Sequence, residues 1–149
     1  NCKSDRLKKL NLNFKKIKNN GDYIILSEPS ETMKTLFKQN NWLDATKSTL
    51  KKYSDREIIV HNKFSKTPLN SLLEKAWAFV SFQSTAGLKA MINGIPAYFT
   101  DKTFSNIGNI KDIEKHKIDY TVFNNLAYGQ WNLEEIKSGE AWDYLSKTK

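Results

Sequence analysis

From Gly21 onward, short runs of β-branched and aromatic residues alternate with longer stretches whose apolar residues recur every three or four positions. That alternation predicts strands joined by crossover helices, and so a parallel sheet. Tyr23-Ile24-Ile25-Leu26 reads as the first strand, ended near Pro29, which has no N–H to offer a ladder. Ser30 is placed to cap the helix that follows, with Met33, Leu36 and Phe37 on one face. A second helical stretch over residues 42–53 carries Trp42, Leu43, Thr46 and Leu50. Residues 56–61 read as the second strand, and the unbroken apolar centre Ile58-Ile59-Val60 is the pattern of a strand covered on both faces.

Thr67 and Pro68 read as N-cap and first helical residue of a short helix over residues 69–75, because proline at that position loses no hydrogen bond. A third strand over residues 77–82, a helix over 84–93 and a fourth strand over 95–99 follow. Gly94 is expected in the left-handed conformation that stops a helix. The predicted fold class is therefore α/β: a Rossmann-like parallel sheet with helices on both faces, half of a doubly wound architecture. Beyond Thr100, residues 101–109 read as a loop and 110–115 as a short helix, while Asn132 and Glu135 have the spacing of a capping box. Gly139 ends that helix, residues 141–145 close the chain as helical turns, and Tyr128, Trp131, Trp142 and Tyr144 are expected to pack over the sheet.

The 149 residues fit one ordinary domain of roughly 100 to 200 residues. With 39% hydrophobic and 12% aromatic residues, the chain has the apolar surface for a core, which excludes disorder along its whole length. The longest apolar run, residues 76–82 with Ser81 inside it, falls far short of the roughly 20 residues needed to cross a bilayer. Cys2 is the single cysteine, which excludes an internal disulfide framework or a multi-cysteine zinc site and suits a reducing, cytoplasmic compartment. Of the net charge of +8, six units fall within residues 1–20, where seven basic residues face Asp5 alone. Residues 1–20 are therefore read as a basic arm or linker, and residues 21–149 as the Rossmann-like domain with a helical tail. Leu7, Leu10, Leu12, Phe14 and Ile17 interleave with the lysines, so residues 3–18 could lie on an anionic membrane or a nucleic-acid backbone, or form a solvated linker or a packed helix. The start at Asn1 reads as a segment of a longer protein.

In an open parallel sheet, ligands bind beyond the carboxyl ends of the strands, so the loops after the four strands carry the candidate chemistry. They are Ser27-Glu28-Pro29-Ser30, His61-Asn62-Lys63, Gln83-Ser84-Thr85-Ala86-Gly87 and Thr100-Asp101-Lys102. In the third, Ser84 and Thr85 offer hydroxyls at a helix start whose first amides need partners, and Ala86 and Gly87 leave room for a phosphate to approach the backbone. The same residues also suit a plain N-cap at Ser84 and a close helix-to-sheet contact at Gly87. Lys63 and His61 could add charge to the same anion. Glu28 and Asp101 are possible acid or base groups by position. The chain has no Walker-type loop, no Gly-x-Gly-x-x-Gly, no His-Glu-x-x-His and no metal-spaced carboxylates.

The stretch from Leu72 to Phe99, an apolar strand, the polar loop Gln83-Ser84-Thr85, a helix with the small-residue start Ala86-Gly87, then Gly94-Ile95-Pro96 and another apolar strand, resembles GT-B glycosyltransferases of the capsular polysaccharide and Kdo-transferase-like group. The resemblance spans roughly residues 21–105, the donor-binding half of that fold. It implies a nucleotide sugar as substrate with no cofactor and no metal. It also implies Ser84 and Thr85 against the donor diphosphate, His61-Asn62-Lys63 reaching the same phosphates, and a glycan or other hydroxyl acceptor. Acceptor and catalytic base would belong to a second, N-terminal Rossmann half, so this segment alone is not expected to be catalytic. Two departures stand out: no proline accompanies His61-Asn62-Lys63, and Lys89 sits where many members of the group have glutamate. The tail around Leu126-Ala127-Tyr128-Gly129-Gln130-Trp131 resembles the ends of related phage and bacterial proteins. A sugar-nucleotide epimerase of the same fold and a non-catalytic phosphate-binding module are the alternatives.

Overall fold

A computed structural model describes residues 5–104 and 106–147. In chain order its elements are α1 (Asp5–Lys9), β1 (Tyr23–Ser27), α2 (Glu31–Leu36), α3 (Trp42–Leu50), β2 (Glu57–His61), α4 (Leu69–Leu73), β3 (Ala76–Ser81), α5 (Ala86–Ile92) and β4 (Ala97–Phe99). A 3-10 helix (Ile110–Lys115), α6 (Val122–Tyr128), α7 (Leu133–Lys137) and α8 (Glu140–Lys147) follow. The chain divides into two compact units, one of Asn13–Asp119 and one that joins Asn1–Leu12 to Tyr120–Lys149.

In the larger unit the four strands pair in the order β2-β1-β3-β4, and every pairing is parallel. The chain leaves β1 for one side of the sheet and returns past it to β3, so the winding reverses between β1 and β3. These central strands carry the longest apolar runs, and Ile24, Ile25, Leu26, Ala78, Phe79 and Val80 are fully buried. Burying each of the larger ones contributes about 1.5–3 kcal/mol. Because side chains alternate along a strand, Ile24, Leu26, Ala78, Val80, Phe82 and Tyr98 form one face with Trp42 and Leu50 of α3 and Ile113 of the 3-10 helix. On the opposite face Gly87 of α5 lies against Phe99 and Ala97. The Tyr23 hydroxyl donates to the Leu72 carbonyl of α4 at 2.8 Å. The sheet is thus an α/β, Rossmann-like one with helices on both faces.

Several local features differ from the reading of the sequence. β2 is an edge strand with Ile58, Ile59 and Val60 only half-buried, so its continuous apolar run reflects burial by β1 and partial cover rather than full enclosure. Pro68, not Thr67, is the N-cap of α4; its φ of −60° and ψ of 141° are extended, and Leu69 is the first helical residue. β4 starts at Ala97 because Pro96 cannot donate, although its carbonyl still accepts from the Phe79 N–H at 2.9 Å. Residues 13–20 belong with the sheet, where the Lys15 and Lys18 N–H groups donate to the Ile92 and Gly94 carbonyls at 2.9 and 3.0 Å. Gly94 takes φ +80°, as a helix stop requires, and a Cβ there would collide with the Lys16 carbonyl.

The smaller unit is built around Arg6, buried although arginine rarely is. Its guanidinium donates to Glu135 at 2.9 and 3.0 Å, to the Ala127 carbonyl at 3.2 Å and to the Gln130 carbonyl at 2.5 Å. It also lies 3.7 Å from the centroid of the Trp131 ring. The capping box of Asn132 and Glu135 is present, so Glu135 serves helix cap and ion pair together. Tyr144 packs on Tyr128 and Trp131 with centroids 4.7 and 5.6 Å apart. Tyr128, Trp131 and Tyr144 thus stack on one another and under Arg6, and Trp142 is exposed. Helix α6 has no counterpart in the sequence reading. Cys2 and Lys3 lie outside the described residues. No helix among the described residues is long and apolar enough to cross a membrane.

Candidate functional site at the carboxyl ends of the strands

Where the winding of an open α/β sheet reverses, the loops leaving the two central strands part and open a crevice. Here that place holds a hollow of about 260 Å³, lined by Ser27, Glu28, Pro29, Ser30 and Met33 on the β1 side and by Phe82, Gln83 and Ser84 on the β3 side. Pro29 ends β1, and the Ser30 hydroxyl caps α2 by accepting from the Met33 N–H at 3.3 Å. Glu28 is held at both ends. Its N–H donates to the His61 carbonyl at 2.9 Å, and its carboxylate accepts from Lys34 Nζ at 2.5 Å and from Asn62 Nδ2 at 3.1 Å. The Lys34 ammonium, with help from the Asn62 amide, keeps the Glu28 carboxyl below the usual carboxylate range. Lys34 also bonds Glu31 at 2.8 Å, and its own pKa is raised by the two carboxylates. Glu28 is consequently an ionised hydrogen-bond acceptor at neutral pH, suited to receive a ligand hydroxyl rather than to give up a proton.

On the β3 side the loop is tied to itself. The Ser84 N–H donates to Ser81 Oγ at 3.2 Å, Ser84 Oγ accepts from the Ala86 N–H at 3.2 Å, and the Gly87 N–H donates to the Ser84 carbonyl at 3.0 Å. The amides expected to greet a phosphate at Ala86 and Gly87 are thus already satisfied. Gly87 is also closed from the other side, since a Cβ there would stand 2.5 Å from Phe99 Cζ. Of the two uses the sequence allowed for this glycine, the helix-to-sheet contact is the one present. Ser84 and Gln83 line the crevice, Thr85 is exposed beside it, and Ala86 and Gly87 are not among the lining residues.

The remaining candidates are distributed otherwise than the sequence suggested. Lys63 lines a neighbouring hollow of about 180 Å³ between the β1 and β2 loops, together with Glu28, Pro29, Ser30, Glu31, Asn62 and Phe64. It does not line the crevice with Ser84. His61 is half-buried at the end of β2 and lines neither space. Asp101 also lines neither: its carboxylate accepts from the Thr103 N–H at 2.8 Å in a turn after β4. Asn62, read in the sequence only as part of the segment His61-Asn62-Lys63, joins the two loops; its Oδ1 accepts from the Phe64 N–H at 3.0 Å while its amide reaches Glu28. An Asn two residues before Phe64 and three before Ser65 was the available signal, because Asn side chains close such turns.

Among the described residues no group of three or more His, Cys, Asp or Glu side chains could hold a metal ion. The fold and the crevice together define an α/β, Rossmann-like unit with a hollow where its winding reverses. Comparison with family models, with curated proteins and with solved structures yields no match.

Proposed function

We propose that the sheet unit binds a nucleotide sugar in the switch-point crevice, as the donor half of a metal-independent GT-B type glycosyltransferase acting on a glycan or other hydroxyl acceptor. The observation that carries this reading is the convergence of the β1 and β3 loops on one hollow, where Glu28, Ser30, Gln83 and Ser84 stand in a wall shared with the apolar Pro29, Met33 and Phe82. Hydroxyls of Ser30, Ser84 and Thr85 and the amide of Gln83 would hold phosphate oxygens, while the ionised Glu28 accepts from ligand hydroxyls. Lys63 would approach from the adjoining hollow. The acceptor and the catalytic base would come from a second Rossmann-like half. Glu28 and Asp101, the carboxylate pair named for the epimerase alternative, line no common hollow.

Calorimetric titration of the whole chain with UDP, GDP, ADP and their sugar conjugates tests the reading. Binding of at least one is expected, weakened about two- to tenfold in Ser84→Ala and in Gln83→Ala, the loss of one net hydrogen bond of about 0.5–1.5 kcal/mol. Asp101→Asn should bind as the unaltered chain does. Absence of binding for the whole panel would refute the proposal.

A further inference from the structure

We infer that the hollow between the β1 and β2 loops is a subsite for a neutral sugar ring, with Phe64 as its stacking platform. The inference rests on the nucleotide-sugar reading only for what brings the sugar there; the subsite's own chemistry stands on different residues. Phe64 is 79% exposed. One exposed aromatic is ordinary in itself, but this one is presented on a fixed turn. Its N–H donates to Asn62 Oδ1 at 3.0 Å, the Ser65 N–H donates to the Asn62 carbonyl at 3.0 Å, and the Asn62 N–H donates to Ser65 Oγ at 2.9 Å. Three bonds thus fix the turn that carries a ring contributing little to the core.

The charges around the hollow balance. Glu28 and Glu31 bring two carboxylates, and Lys34, bonded to both, and Lys63 bring two ammonium groups. Neither a phosphate nor a cation gains net Coulomb attraction from such a wall, whereas a hydroxyl finds both acceptors and donors. Glu28 and Glu31 accept; Ser30 keeps its hydroxyl proton to donate while accepting from Met33. Lys63 Nζ lies over one face of the Phe64 ring, 4.9 Å from its centroid, so a sugar stacks on the other face or takes the place of the ammonium, which is then free to bond its hydroxyls. A pyranose has this same division, polar groups around its rim and polarised C–H bonds on its face, and the negative face of an aromatic ring attracts such C–H bonds. The two hollows also adjoin. Glu28, Pro29 and Ser30 line both hollows, so a nucleotide in the crevice would pass its sugar around Ser30 towards Phe64.

Saturation-transfer NMR on the whole chain, with UDP-glucose, UDP-N-acetylglucosamine and GDP-mannose against UDP and GDP, tests the subsite. Phe64→Ala is expected to weaken a nucleotide sugar at least fivefold while leaving the bare nucleotide unchanged, and Phe64→Trp to restore it. Ser84→Ala should weaken both. Thermal melts of the Phe64 variants should match the unaltered chain, since the ring is outside the core. Equal affinity of Phe64→Ala and the unaltered chain for a nucleotide sugar would overturn the subsite and leave the nucleotide reading intact. If no nucleotide binds, glucose, N-acetylglucosamine and mannose at millimolar concentration decide the matter separately. Binding lost in Phe64→Ala would sustain the subsite without the nucleotide, and no binding would end it.

Discussion

Replacing Gly87 by alanine distinguishes a bare backbone kept for a phosphate from a bare backbone kept for the sheet. The added Cβ would sit 2.5 Å from Phe99 Cζ, 3.0 Å from Phe99 Cε1 and 3.4 Å from Ala97 Cβ. Comfortable carbon–carbon contact is about 3.5–4.0 Å, so the overlap with the ring is about 1 Å. Phe99 is 4% exposed and cannot swing into solvent, which leaves helix α5 to move away from β4. Overpacking of this kind costs about 1–3 kcal/mol, against which alanine in a helix gains about 1 kcal/mol over glycine. We expect a net loss of about 1 kcal/mol, read from urea unfolding at neutral pH. The sharper signature is coupling. Phe99→Leu removes the atoms in the way, so the double variant should be at least about 1 kcal/mol more stable than the sum of the single changes allows, within the range for residues in contact. Gly87→Ala as stable as the unaltered chain, combined with strict additivity, would refute the packing argument. Loss of nucleotide binding without loss of stability would return Gly87 to the ligand.

Three further outcomes follow from the same coordinates. Arg6 and the Asn132 N–H hold the Glu135 carboxyl down to about 2, so its contribution is present above its unfolded value of about 4.3 and is lost as pH falls towards about 2. Glu135→Gln should flatten the acid limb of stability in that interval in urea unfolding across pH, and an unchanged limb would contradict the pairing. Burial lowers the pKa of His116, whose Nε2 faces the Lys18 carbonyl and whose buried Nδ1 has no partner. The unfolded chain therefore binds the proton more readily, and stability should fall as pH drops below about 6.5, an inflection that His116→Asn removes. Gly94→Ala meets both a left-handed φ of +80° and the Lys16 carbonyl, whereas Gly139→Ala meets a φ of +85° with nothing within 4 Å. The second should cost about 1–2 kcal/mol for handedness alone and the first clearly more in thermal melts; equal losses would mean that residues 13–20 do not hold to the end of α5.

The strands were readable because β1 and β3 lie in the middle of the sheet, where burial on both faces demands unbroken apolar runs. That Glu28, Gln83 and Ser84 stand at strand ends was readable for a related reason: a rule about strand ends needs only the strands. What could not be read was which loops share a hollow, since that depends on strand order. In the order β2-β1-β3-β4 the loops after β1 and β3 adjoin, while Lys63 after β2 is separated from Ser84 by the β1 loop. Gly87 was undecidable in principle, because a ligand's approach and a helix's approach both require the same missing Cβ. The grouping of the tail aromatics was not readable because their organiser, Arg6, stands 121 residues before the first group it touches, Ala127, and nothing local announces such a pairing.

The basic stretch shows most clearly why a sum of charges is a poor guide to a surface. Of its seven cations, Arg6 is buried against Glu135 and two carbonyls, so its charge is spent inside the small unit. Lys18 Nζ lies 3.3 and 3.4 Å from the Leu73 and Glu74 carbonyls at the end of α4, where the unpaired carbonyls of a helix C-terminus attract a cation. Lys9 stands 3.8 Å from Glu140, an exposed pair of little energetic weight. A lysine-rich run interleaved with Leu7, Leu10, Phe14 and Ile17 therefore divides its work between two units and helps to close both. Any contact with a membrane or a nucleic acid would have to use the cations on its outer side, and neutralising Lys8 and Lys16 would affect it far more than removing Arg6 or Lys18 without unfolding the chain.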